Sequence, residues 1–186
     1  MVTDHVEHIK NGRIYLRALD ISDLERVYVW HNDQSLYEHL GGVFRWVSRT
    51  AEEAWVRQRC AYSATEVNLA ICLVDTDEHI GNVYLRNIDW VGRHAELHIL
   101  IGSAAQRGKG YGKEAIELAL AHAFNDLGLE RIYLFVLASN ETAQRLYRKC
   151  GFIEEGRLRK HAYKQGEFID VIVMGLLKSE WKGRIG

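Results

Sequence analysis

The sequence predicts a mixed α/β domain with a mostly antiparallel central sheet of about seven strands, flanked by about four helices. Three observations lead there. The strand-like runs Val67 to Asp75, His79 to Asp89 and Arg93 to Gly102 are joined by the polar turns Asp75-Thr76-Asp77-Glu78 and Trp90-Val91-Gly92, which imply an antiparallel meander. After Gly102 come a glycine-rich loop, a helix from Gly110 to Leu127, a strand from Arg131 to Leu137 and a helix from Asn140 to Cys150. Two further strand patterns, Phe152 to Arg159 and Glu167 to Leu177, are joined through Tyr163-Lys164-Gln165-Gly166, and the second carries Ile169, Val171 and Val173 on one face.

The N-terminal half supplies the remaining elements. Arg13 to Leu19 alternates Ile14, Leu16 and Ala18 against Arg13, Tyr15 and Arg17, the pattern of a first strand with one face covered. Ser22 reads as an N-cap with Glu25 three residues on, ahead of the helical stripe Leu24, Val27, Tyr28 and Val29. Thr50 and Glu53 read as a second capping box, opening a helix to Tyr62 whose apolar side begins at Ala54, Trp55 and Val56.

The bulk properties exclude several classes of function. With 186 residues, 47% of them hydrophobic, the chain suits one compact domain, 1–186 with a core over about 12–178, and leaves no room for a second. A formal charge of -1 lacks the basic excess of a nucleic-acid binder. Cys60, Cys72 and Cys150 lie far apart with no CxxC pair, which argues against a disulfide framework or a zinc knuckle and for a reducing cytoplasm. Met1 to Lys10 is too polar for a signal peptide, and no apolar run approaches the roughly 18 residues of a membrane helix. Proline is absent, and no linker or repeat divides the chain.

Arg107-Gly108-Lys109-Gly110-Tyr111-Gly112-Lys113 lies between a strand and an amphipathic helix, so it sets bare N–H groups and three cations at a helix N-terminus, an anion site. A P-loop fails on the letters: Arg107 stands where its first glycine belongs, and Glu114 stands where Ser or Thr must bind metal. The dinucleotide pattern fits as Gly110-x-Gly112-x-x-Ala115, but Ser103 to Lys109 separate it from its strand. A third pattern, Arg/Gln-x-x-Gly-x-Gly/Ala, is met by Arg107, Gly110 and Gly112 after a strand carrying Leu97, Ile99 and Ile101.

That stretch resembles the coenzyme A loop of the GNAT acetyltransferases. The resemblance continues in order through Asn140-Glu-Thr-Ala-Gln-Arg-Leu-Tyr147-Arg-Lys-Cys-Gly151-Phe152, similar to the family's late helix and its exit. It covers residues 12 to 178 and is nearest the branch of ribosomal-protein N-terminal and spermidine acetyltransferases. It implies the GNAT fold, acetyl-CoA as cosubstrate without a metal, and transfer of an acetyl group to an amine.

The resemblance also implies roles. The N–H groups of Arg107, Gly108, Lys109, Gly110, Tyr111 and Gly112 would hold the pyrophosphate, with Arg107, Lys109 and Lys113 adding positive field. A main-chain N–H near Leu100 and Ile101 would polarise the thioester. Asn140 would cap its helix and bond the pantetheine arm. Tyr147 aligns with the tyrosine beside the coenzyme sulfur, a general acid; packing alone is its competing role. Glu96 resembles the position that deprotonates the amine, often through water, against the alternative of an exposed or ion-paired charge. His94, Glu96 and His98 share a strand face, but positions i and i+4 lie about 13 Å apart, too far for one metal ion to join all three. His98 is a second candidate for proton transfer.

The acceptor is read from His31 to Arg49, which mixes Asp33 and Glu38 with Arg45 and Arg49 and adds Tyr37, Phe44 and Trp46. Spermidine enzymes carry a denser acidic run there, so a polyamine is the less favoured acceptor. A nucleotide-linked amino sugar suits Arg45, Arg49 and Trp46, while a protein N-terminus is comparably supported by the resemblance. A catalytically silent acyl-CoA-binding module is the alternative of a different class. Related enzymes often dimerise and two-fold pairs are the commonest assemblies, so a homodimer is the expected assembly.

Overall fold

A computed structural model describes residues 9–183; the polar stretch Met1 to Lys10 lies outside them except for its last two residues. One 8-stranded sheet organises the chain. Its strands are β1 (Ile9–Asn11), β2 (Ile14–Ala18), β3 (Val67–Leu73), β4 (His79–Asp89), β5 (His94–Ile101), β6 (Arg131–Leu137), β7 (Ile153–Lys164) and β8 (Glu167–Leu177), in the order β1-β2-β3-β4-β5-β6-β8-β7. The helices are α1 (Leu24–His31), α2 (Gln34–Tyr37), α3 (Arg49–Cys60), α4 (Tyr111–Ala121) and α5 (Glu141–Lys149).

The sheet has one strand more than expected and the chain one helix more. The extra strand, β1, pairs with β2 from Ile9↔Leu16 to Asn11↔Ile14 across a turn in which Gly12 takes φ 66°, a conformation that glycine adopts without strain. The extra helix, α2, is a single turn started by Asp33, whose side chain accepts from the Ser35 N–H. The helix expected to run to Leu127 is α4 continued by a π turn over His122–Asp126.

Both expected caps shift. A 3-10 turn over Ile21–Asp23 precedes α1, and its N-cap is Asp20, whose carboxylate accepts from the Ser22 N–H while Asp23 accepts from the Asp20 N–H. Ser48, extended at φ -70° and ψ 153°, caps α3 through the Ala51 N–H, so this helix starts ahead of Thr50. Glu53 is then free to pair with Arg57 one turn on, and Glu52 turns inward.

Two apolar layers hold the sheet. α4 lays Ala115, Ile116, Ala119 and Leu120 on one face, against Ile14, Leu16, Ile71, Val83, Leu85 and Leu97. On the other face, α1 and α3 bury Leu24, Val27, Trp30 and Val56 against Tyr15, Ala70 and Cys72. β2 is therefore covered on both faces, not one, because Tyr15 packs beneath α1. Each fully buried large apolar side chain contributes about 1.5–3 kcal/mol.

Strand pairing fixes the position of the site. All neighbouring strands are antiparallel except β5 and β6, which run parallel over just three pairs, His94↔Arg131, Ala95↔Ile132 and Glu96↔Tyr133. Beyond them β5 stays with β4 as far as Gly81↔Ile101, and β6 stays with β8 as far as Leu137↔Val171. Each strand follows its own antiparallel partner, and the sheet opens between them.

Two changes test this framework. A Cβ at Gly81 would run into the Leu100 carbonyl oxygen and the Ile101 backbone, so Gly81→Ala should cost about 1–3 kcal/mol in urea unfolding through strand displacement. Asp23 is buried; burial would raise its pKa, but bonds from Arg17 at 2.7 Å and 2.8 Å, with His79 3.0 Å away, hold it well below the carboxylate range. Its contribution to stability is complete above the unfolded value of about 4 and is lost as pH falls further. Asp23→Asn should flatten that acid loss and cost about 3 kcal/mol at neutral pH.

Candidate active site

The parting of β5 and β6 produces a cleft of about 870 Å³. Leu97 to Ile101 line one side and Phe135 to Leu137 the other, and α5 adds Ala143, Leu146 and Tyr147. The β6-facing edge of Leu97 to Ile101 has no strand beside it, so this stretch of backbone borders open space.

From β5 the chain passes through a 3-10 turn at Ala104–Gln106 into the glycine-rich loop. Gly108 and Gly110 have φ 75° and 92°, which L side chains rarely adopt, and Gly110 is the N-cap of α4 without any side-chain cap. The Lys113 N–H donates to the Gly110 carbonyl at 3.0 Å, while those of Tyr111 and Gly112 have no intrahelical acceptor and lie at the positive end of the helix. Gly112 lines the cleft, and a Cβ there would meet Leu146 at 3.4 Å and Ile101 at 3.9 Å, ordinary contacts. The protein's own packing does not demand glycine there, and the bare backbone leaves that space to a ligand. This cradle fits a diphosphate.

The loop cations are less free than the sequence implies. Arg107 lines the cleft, but its guanidinium donates to the Ile101 and Gly102 carbonyls at 3.0 and 2.8 Å, tying the loop to the end of β5. Lys109 donates to Gln106 at 3.0 Å and Lys113 pairs with Glu117. Gly108, Lys109, Gly110, Tyr111 and Lys113 belong to the loop and first turn but not to the cleft wall. Arg13, assigned no role by the sequence, clamps this turn from the connection between β1 and β2: it pairs with Glu114, donates to the Lys109 carbonyl at 2.9 Å and stacks over Tyr111 at 4.6 Å.

Asn140 caps α5 through the Ala143 N–H at 3.0 Å, and its amide donates to the His39 carbonyl at 3.0 Å. The amide N–H of this expected pantetheine partner is thus engaged with the α2–α3 segment. The second lone pair of its oxygen remains to accept a bond. Tyr147 packs on Phe152, with ring centres 6.0 Å apart, and its hydroxyl bonds to no other described residue. Burial, with Cys150 nearby, pushes its phenol up to about 12, so it carries its proton at neutral pH.

Glu96 sits where pairing between β5 and β6 ends. Its Oε1 lies 2.8 Å from His98 Nε2, and its Oε2 accepts from Asn87 at 2.9 Å. Burial would raise its pKa; the bonds to His98 and Asn87 prevail and lower it, leaving a carboxylate at neutral pH. Asn87 reaches it through a bulge: Asn87 and Ile88 together oppose Ala95, and Asn87 takes φ 52°. His94 points elsewhere, 3.6 Å from Asp89 and against Tyr133. Among the described residues no group of His, Cys, Asp and Glu could hold a metal ion.

At the far end, a second cavity of about 440 Å³ shares His31, Tyr37 and Arg86 with the cleft and adds Glu52 and Trp55. Glu52 is buried and bonds His31 at 2.8 and 3.0 Å. His31 and Tyr37 belong to the segment from which the acceptor was read, but Glu52, Trp55, Tyr84 and Arg86 were not foreseen: Tyr84 and Arg86 reach the site by lying across from His98 and Glu96, a register no local pattern reveals. The residues that suggested an anionic acceptor lie outside both cavities. Arg49 pairs with Glu25, Arg45 is exposed, and Trp46 is 77% exposed against Phe44.

Residues 13–153 match the model of an acetyltransferase (GNAT) domain. A spermidine N(1)-acetyltransferase of Vibrio cholerae is 31% identical over 177 residues, covering 94% of this chain and 98% of its own. A putative ribosomal N-acetyltransferase of Bacillus subtilis is 29% identical, covering 93% and 96%. The crystal structure of the Vibrio cholerae spermidine N-acetyltransferase in complex with CoA and spermine matches with a TM-score of 0.86 at 29% identity, covering 93% of this chain and 100% of that one. No helix among the described residues is long and apolar enough to cross a membrane. The chain belongs to the GNAT acetyltransferase family and is an N-acetyltransferase that draws its acetyl group from acetyl-CoA.

Proposed function

We propose that this chain acetylates a primary amine bound between α2, α3 and the β4–β5 strands, with Glu96 as proton acceptor and Tyr147 as proton donor. One observation carries the reading: a carboxylate kept ionised and a phenol kept protonated line the same cleft, which also reaches the uncapped N-terminus of α4. Acetyl-CoA brings an acetyl group already activated as a thioester. The N–H groups of residues 108–112 and the positive end of α4 hold its pyrophosphate, and Arg107 stiffens that loop. The unpaired edge at Leu100 and Ile101 offers main-chain N–H to the carbonyl. The amine loses its proton to Glu96, directly or through water, and the departing thiolate takes the proton of Tyr147.

A polyamine acceptor is the second reading, favoured by the name of the Vibrio cholerae relative. Against it stands the charge at the acceptor end, where Glu52 and Glu96 each already face a histidine and Arg86 adds a positive charge. Thiol release from acetyl-CoA, measured with spermidine, alkyl monoamines, short peptides with free N-termini and a nucleotide-linked amino sugar, separates these acceptors. Coenzyme binding without turnover on any of them would identify a silent binding module instead.

Tyr147→Phe should lower kcat about 100-fold or more while coenzyme affinity, read by calorimetry, stays within about two-fold. Glu96→Gln should lower kcat/KM at neutral pH and recover toward wild type as pH rises, since free amine then forms without a base. In the wild type, ionisation of Tyr147 should take no activity below about pH 10, two units under its displaced value.

A further inference from the structure

Among the described residues, Arg86 is the charged group at the acceptor end that forms no ion pair. It lies at the junction of the cleft and the second cavity, half-buried on β4, and its guanidinium stacks over the Tyr84 ring at 4.8 Å. Its Nε is shielded from solvent and has no hydrogen-bond acceptor, and no carboxylate among the described residues forms an ion pair with it.

The carboxylates around it are taken. Glu96, its cross-strand neighbour, bonds His98 and Asn87. Glu52, which lines the second cavity with it, bonds His31. Glu66 pairs with Arg59; burial and the Arg59 charge disfavour the Arg86 cation, and Glu66 and Glu96, which favour it, act from beyond ion-pair distance, so the net shift is downward. Burying a guanidinium without a partner is costly, and a planar fork of donors matches carboxylate and phosphate oxygens two at a time. Aromatic rings flank Arg86 on both sides of that junction, with Tyr37 lining both cavities, Tyr84 the cleft and Trp55 the second cavity.

We infer that Arg86 binds an oxyanion, a carboxylate or phosphate, carried by the acceptor on the side away from its reacting amine. The enzyme then selects amines that bear a negative group and disfavours polycations. This inference rests on amine transfer taking place in the cleft, and it replaces Arg45 and Arg49 by a residue that faces the site.

The test compares ω-amino carboxylates and ω-aminoalkyl phosphates of increasing chain length with alkylamines of matched length and with spermidine, in wild type, Arg86→Gln and Arg86→Lys. The wild type should favour an anionic acceptor over its uncharged match. Arg86→Gln should raise KM for that acceptor about thirty-fold, the scale of truncating one partner of a buried charge pair. KM for acetyl-CoA and turnover of the uncharged amine should stay unchanged, with Arg86→Lys recovering part of the preference. Carboxylate and phosphate series tell the two oxyanions apart. Because the cation is unpaired in the free protein, Arg86→Gln should melt at the same temperature as wild type or higher; a lower Tm would mark a packing role. With saturating coenzyme A filling the cradle at α4, uridine diphosphate and inorganic phosphate, which carry no amine, supply a binding arm read as a further rise in Tm that Arg86→Gln abolishes. Thiol release that ignores acceptor charge in both proteins would overturn the Arg86 assignment and leave amine transfer standing. Anion binding through Arg86 with no thiol release from any amine would overturn the transfer reading.

Discussion

β5 and β6 start as a parallel pair and separate after Glu96 and Tyr133, and the chemistry of this molecule depends on that separation. Neither strand is loose, because each continues its full antiparallel ladder on the other side. Opening the sheet there exposes one edge of backbone between Leu97 and Ile101 without freeing the strand that carries it. The loop that leaves β5 leads to the N-terminus of α4, and the helix that follows β6 brings in Tyr147. A glycine-rich helix start, an unpaired backbone edge and a buried, protonated phenol are thereby gathered around one gap. Close packing between β4 and β5 holds the open end of β5 in place, as the approach of Gly81 to the Leu100 carbonyl shows.

The distribution of satisfied and unsatisfied polar groups follows the same division. Away from the cleft, charges are paired closely: Asp23 takes Arg17 and His79 in the interior, and Arg13 takes Glu114 at the start of α4. The loop cations, which invite assignment as phosphate ligands, are used largely to hold the loop's shape. Among the described residues, the groups without a protein partner include several that belong to the cleft or border it: the N–H groups of Tyr111 and Gly112 at the start of α4, the Tyr147 hydroxyl and the Arg86 Nε. Such groups cost stability in the free protein, and a ligand repays the cost.

How much was legible from the sequence depended on range. The meander from Val67 to Gly102 and the unit from Gly102 to Cys150 were readable because turn residues and apolar periods act within a few residues. Element starts were less so: Ser22 and Thr50 looked like caps, but Asp20 and Ser48 had the extended backbone that aims a side chain at the first free N–H groups. The short pieces β1 and α2 carry too few residues for any period to register.

By itself the sequence determined a mixed α/β chain with a glycine-rich anion loop before α4, and its ordered motifs, by resemblance, marked Tyr147, Glu96 and Asn140. Tertiary structure decided where β5 and β6 part, that Asn87 and His98 hold Glu96 ionised, and that Arg86 rather than Arg45 or Arg49 lines the two cavities. The physical reason is that strand register joins residues far apart along the chain. Arg86 meets Glu96, and Tyr84 meets His98, through hydrogen bonds between β4 and β5 and not through any spacing that a local pattern can express.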